Sequence, residues 1–78
     1  MALEADETLD FRGTACLLPV VRTQFALSLM NPGQVLCVVG RGAATERDLE
    51  VWARETGTAV VGVEHEEDGT FRMFLQKQ

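Results

Sequence analysis

Leu9-Asp10-Phe11-Arg12-Gly13-Thr14-Ala15-Cys16-Leu17-Leu18-Pro19 contains the first change of periodicity in the chain. From Leu9 to Gly13 apolar and polar residues alternate, so Leu9 and Phe11 face one way while Asp10 and Arg12 share the other side, as a half-buried strand requires. From Leu17 to Asn31 the spacing turns helical. Val20, Leu27 and Met30 form one stripe with Thr23 and Ala26, and Asn31-Pro32-Gly33 supplies the stop. A strand that yields to a helix here sets Cys16 at a helix start, where unpaired backbone N–H groups and the positive end of the helix dipole favour a thiolate. Cys16 is the leading candidate nucleophile.

Outward from that corner the elements follow in order. Val35-Leu36-Cys37-Val38-Val39 is short, rich in β-branched residues and bounded by glycine, and reads as a second strand ending at Gly40. Thr45 with Asp48 three residues later resembles a capping box, and Leu49, Trp52, Ala53 and Thr56 then continue at helical spacing to Gly57. Val60 to Glu64 and Phe71 to Leu75 read as two further strands joined through Glu66-Glu67-Asp68-Gly69, whose Asp-Gly step suits a tight hairpin. The order is β-α-β-α-β-β. Helical crossovers favour parallel pairing after the first two strands, whereas the final hairpin is antiparallel, so the sheet is mixed. The expected fold is α/β in the broad sense, more narrowly α+β: a two-layer sandwich with a mixed four-stranded sheet and two helices on one face. A single domain spans 1–78, with residues 1–7 expected to fray.

Composition narrows the function classes. With 78 residues, 46% of them hydrophobic and 24% charged, the chain can bury one small core but cannot hold a cofactor domain beside a substrate domain. The formal net charge is −5 and the seven basic residues form no run, which argues against nucleic acid as a partner. Met1 to Thr8 is acidic, and no apolar stretch approaches the ~20 residues needed to cross a bilayer, so a cytoplasmic protein without membrane contact is expected. In that compartment Cys16 and Cys37 rest as thiols. Val35 and Val39 share a strand face with Cys37 and suggest that it packs, whereas His65, flanked by glutamates, reads as solvated. No metal-ligand spacing and no cofactor motif is visible; Gly40-x-Gly42-x-x-Thr45 lacks the third glycine of a dinucleotide fingerprint.

The run Leu9-Asp10-x-Arg12-Gly13-x-x-Cys16-x-x-Pro19-Val20, then Asn31-Pro32-Gly33, then Arg47-Asp48-Leu49 and a closing hairpin, resembles the TusA (SirA-like) sulfur-carrier family over nearly the whole chain. The resemblance implies a small β-α-β-α-β-β protein whose cysteine, here Cys16, holds a persulfide and passes it to another protein. It also implies two partners: a sulfur donor of the cysteine desulfurase or rhodanese type, and a sulfur acceptor. Two departures stand out. Leu17 occupies the place of the first proline in the family's Cys-Pro-x-Pro signature, giving Cys16-Leu17-Leu18-Pro19, and Gly40-Arg41-Gly42-Ala43 replaces the family's acidic loop after the second strand. A proline at the first helical position fixes φ and lacks an N–H, so Leu17 loosens the helix start and adds a donor near the sulfur.

Around Cys16, Arg12 and Arg22 are supporting candidates because either cation would favour a thiolate, and Leu17 and Pro19 shape the first turn. Val21, Phe25 and Leu29 form a second apolar stripe on the first helix, a candidate partner-binding or self-association surface. The rival reading is a non-catalytic interaction module of the same fold that binds through this stripe and has lost sulfur transfer.

Overall fold

The alternation around Leu9 becomes strand β1 (Glu7–Asp10) in the computed structural model, which describes residues 5–12 and 18–78. It sits earlier than the Leu9–Gly13 strand expected from the alternation. At its start, the Asp6 N–H donates to the Val35 carbonyl at 2.8 Å and the Asp6 carboxylate accepts the Val35 N–H at 2.8 Å. Pairing therefore reaches back into the segment expected to fray, at Asp6 and Glu7. At its end, the Phe11 N–H makes a last bond to the Val39 carbonyl at 2.6 Å, and the Arg12 N–H then donates to the Asp10 carboxylate at 3.0 Å. That local bond takes Arg12 out of the ladder and ends the strand.

Helix α1 (Leu18–Ser28) starts and ends inside the expected Leu17–Asn31 span. Beyond Ser28 the helix tightens: Leu29 N–H donates to Ala26 and Met30 N–H to Leu27, each three residues back. Strand β2 (Val35–Arg41) runs through Gly40, where the sequence suggested its end. The reason lies across the sheet: a Cβ at Gly40 would stand 2.6 Å from Cζ of the Phe71 ring, so the glycine makes room for an aromatic residue without breaking the strand.

Helix α2 (Ala43–Thr56) begins two residues before the expected cap, Thr45. Gly42 occupies the cap position without a side-chain hydrogen bond; its N–H is held by the Gly69 carbonyl at 3.1 Å and its carbonyl accepts from Glu46 N–H at 3.2 Å. A tertiary contact to the hairpin, not the Thr45/Asp48 pair, thus sets the start of α2. At the far end Gly57 takes a left-handed conformation, φ 73°, so its N–H and that of Thr58 reach back to the carbonyls of Arg54 and Ala53.

Strands β3 (Ala59–His65) and β4 (Thr70–Gln76) form the hairpin, each slightly longer than its apolar run. The sheet order is β1-β2-β4-β3, with β1 and β2 parallel and the other neighbours antiparallel. β2 and β3 point the same way, as a helical crossover favours, but β4 lies between them. The β3 ladder shifts register between Val60 and Gly62, a bulge on an edge strand.

Both helices lie on one face of the sheet. Leu27 from α1, Met30 from the turn after it, and Leu49 and Ala53 from α2 pack on Phe11, Leu36, Val38, Phe71, Met73 and Leu75. Pleat alternation sends Cys37, Val39 and Phe74 to the opposite face, where they form a second, smaller buried cluster with Ala5 and Val35.

Candidate functional site

The C-terminal end of β1, the Arg41–Gly42 corner after β2 and the β3–β4 turn converge at one end of the sheet. The chain between β1 and α1 therefore leaves from a surface already dense in charge. Asp10 and Arg12 form a fork there: Arg12 Nε donates to both carboxylate oxygens at 3.1 Å and a terminal nitrogen donates to Oδ2 at 2.7 Å. The Arg12 side chain and backbone N–H hold the Asp10 carboxyl below its ordinary range, and Asp10 in turn raises Arg12. The pair expected from strand alternation is present, although Arg12 lies beyond the strand.

The hairpin supplies two further pairs, Arg41 to Asp68 and Arg72 to Glu66, both at 3.3 Å. The Thr70 backbone N–H, at 2.9 Å from its carboxylate, holds Asp68 below the usual carboxylate range. Arg41 and Arg72 were not singled out in the sequence; the register that sets β4 beside β2 brings Arg41 to Asp68, and the register within the hairpin brings Arg72 to Glu66. His65 is not simply solvated: its Nε2 lies 2.8 and 3.0 Å from the Glu46 carboxylate oxygens, tying β3 to the first turn of α2. The reading as a solvated residue missed this contact, because α2 passes over that edge of the sheet.

Cys16 and Leu17 lie outside the described residues. Pro19, at the second position of α1, is fully buried, a place where a missing N–H costs nothing. Arg22 is exposed and, among the described residues, forms no ion pair, so the structure does not bring it together with Arg12. The second stripe of α1 is open to solvent: Val21 is 58% exposed, Phe25 65% and Leu29, in the turn that follows, 73%. Val21 and Phe25 line a shallow depression with Gln24 and Ser28.

Cys37 is the contrasting thiol. It is 4% exposed within the smaller cluster, and burial pushes its pKa up, with the Glu64 charge adding and Arg72 opposing. Such a thiol is a poor nucleophile at neutral pH. Among the described residues, no three His, Cys, Asp or Glu side chains gather as metal ligands, and no helix is long and apolar enough to cross a membrane.

A mixed four-stranded sheet with two helices on one face is the architecture of a crystallised SirA-like protein from Desulfitobacterium hafniense, which superposes with a TM-score of 0.80 over 90% of this chain and 95% of that one at 24% identity. The model of the family described as Sulfurtransferase TusA matches residues 7–77, and the chain belongs to that family of sulfur carriers. The sulfur carrier protein TusA of Allochromatium vinosum is 33% identical over 72 residues, 92% of this chain and 93% of that protein. An Aquifex aeolicus relative is 39% identical over 75 residues, or 96% of this chain, but the chain spans only 38% of that relative's length.

Proposed function

We propose that this chain carries sulfur as a persulfide on Cys16. In the loading step the Cys16 thiolate attacks the outer sulfur of a donor persulfide. One S–S bond forms at Cys16 as the donor's S–S bond breaks, and the donor cysteine leaves as a thiolate with the bonding electron pair. No net oxidation occurs. An acceptor's nucleophile later attacks the outer sulfur and Cys16 leaves as a thiolate, or a second thiol attacks the inner sulfur, forming a disulfide with Cys16 as the outer sulfur departs as sulfide.

The observation that carries this reading is the buried state of Cys37 within a family match that spans 7–77. Cys37 is sealed into the sheet's second face with its thiol pushed toward the neutral form, which leaves Cys16 to do the chemistry. The Asp10–Arg12 fork anchors the chain where it departs toward Cys16. Arg12 spends its charge largely on Asp10, so its role is to hold that departure in place more than to stabilise a thiolate. The donor is a protein of the cysteine desulfurase or rhodanese type and the acceptor a second protein. The cytoplasm, where thiols stay reduced, is the compartment that suits this chemistry.

The test is mass spectrometry of the chain after incubation with a holo cysteine desulfurase and cysteine. One added sulfur on Cys16 is expected in the wild type and in Cys37→Ser, and none in Cys16→Ser. Sulfur on Cys37, or an unmodified chain beside a labelled control carrier, overturns the reading.

A further inference from the structure

The outward side of α1 is unlike that of a solvated helix. Arg22 is the only charged residue in Leu18–Ser28, while Val21, Phe25 and Leu29 stand exposed at four-residue spacing and so line up along the helix. The neighbouring α2 carries Arg47, Asp48, Glu50, Arg54 and Glu55 within one helix. The stripe starts five residues after Cys16 in the chain and leads away from it for two turns.

Size and charge decide what covers it. The three side chains offer about 300–400 Å² of apolar surface, whereas a lasting interface takes about 800 Å² from each partner. Two copies, each with a formal charge of −5, also repel. A second copy is therefore disfavoured, and a brief encounter is the match for the area. Arg22 lies one turn from Phe25 on the same surface and, among the described residues, pairs with no carboxylate, so its charge is offered outward.

We infer that the Val21–Phe25–Leu29 stripe is the docking surface for the protein that exchanges sulfur with this chain, a partner presenting a shallow apolar patch beside its own reactive cysteine and a carboxylate that meets Arg22. The inference rests on the sulfur-carrier reading and names the surface by which that carrier is captured. It accounts for an apolar face that folding alone leaves unused, and it does so with a contact small enough to release after each transfer.

The experiment compares loading of Cys16 by two protein donors, a holo cysteine desulfurase with cysteine and a thiosulfate-charged rhodanese, against loading by inorganic polysulfide, which needs no docking. For Phe25→Ser and Leu29→Ser, the ratio of protein-driven to polysulfide-driven loading falls about tenfold, through a higher half-saturating concentration of carrier. Val51→Ser, on the exposed side of α2, leaves the ratio unchanged. Arg22→Glu slows capture by the donors more at low salt than at high. An unchanged ratio in both stripe variants overturns the inference, as does a wild-type chain that polysulfide loads but neither donor charges. A wild-type dimer in sedimentation that Phe25→Ser dissolves would assign the stripe to a second copy and equally overturn it. Failure of polysulfide itself to load Cys16 strikes instead at the sulfur-carrier reading.

Discussion

Helices α1 and α2 lie side by side on the same sheet, yet they are finished differently. Helix α2 inserts Leu49 and Ala53 fully into the core, ends on a left-handed glycine that satisfies two of its carbonyls, and shows water a charged exterior. Helix α1 buries Thr23 and Leu27, with Met30 in the turn after it, but leaves an apolar stripe outside, has no acidic residue in its first turn and none of basic type in its last. One helix is finished toward both core and solvent, the other toward the core alone. The difference teaches that exposure of Val21, Phe25 and Leu29 is not a shortage of polar residues in the chain: a stripe of three is left open along the first helix, where α2 exposes the single large apolar side chain Val51.

The sharpest way to break this comparison is to cut leucines. Leu49→Ala on α2 removes a fully buried side chain and is expected to cost about 2–5 kcal/mol in urea unfolding, whereas Leu29→Ala after α1 stays within about 0.5 kcal/mol. A comparable loss at Leu29 would mean that the stripe is part of the core. A smaller effect, of opposite sign, comes from within α1. The Thr23 hydroxyl is buried and has no hydrogen-bond partner among the described residues, so Thr23→Val is expected to stabilise the fold by about 1 kcal/mol on the same urea curve. A destabilised variant would show that the hydroxyl is satisfied.

The smallest effect is on pH dependence, and it isolates the charged end of the sheet from both helices. Asp10 and Asp68 ionise below the ordinary range of an aspartate in the folded protein, so their support is fully present above that range and is lost as pH falls through their lower folded values. Both are exposed, and a shallow decline is expected. Asp10→Asn should flatten the acid limb of a plot of unfolding midpoint against pH without moving the neutral plateau. An identical acid limb in that variant would remove Asp10 from the account.

The order of elements and the core stripe of α1 were legible because they rest on periodicity, and periodicity survives folding wherever one face of an element meets the core. Leu27, Met30, Leu36, Val38 and Leu49 all lie where their spacing put them. The Asp10–Arg12 pair was legible for the same reason, since its two residues are neighbours in sequence. What escaped was set by contacts between distant segments. Gly42 replaces Thr45 at the start of α2 because the hairpin carbonyl of Gly69 reaches it, and Gly40 stays in β2 because Phe71 lies opposite. His65 found Glu46, nineteen residues back, over the three glutamates beside it. At the site, the sequence singled out Cys16 and the exposed stripe, but the pairings of Arg41 and Arg72 depend on a strand register that no local pattern announces.

The register shift at Val60 and Gly62 has its own effect on a protein that shows so much apolar surface. β3 is one of the two borders of the sheet, β1 being the other, and its run from Ala59 to Val63 carries no charge. Left flat, such a border would serve as a template for strands from other molecules. The extra residue twists it and breaks the even row of amide groups on which fibrils grow. An apolar border at β3 can therefore lie open to water while denying neighbours a seam along which to stack.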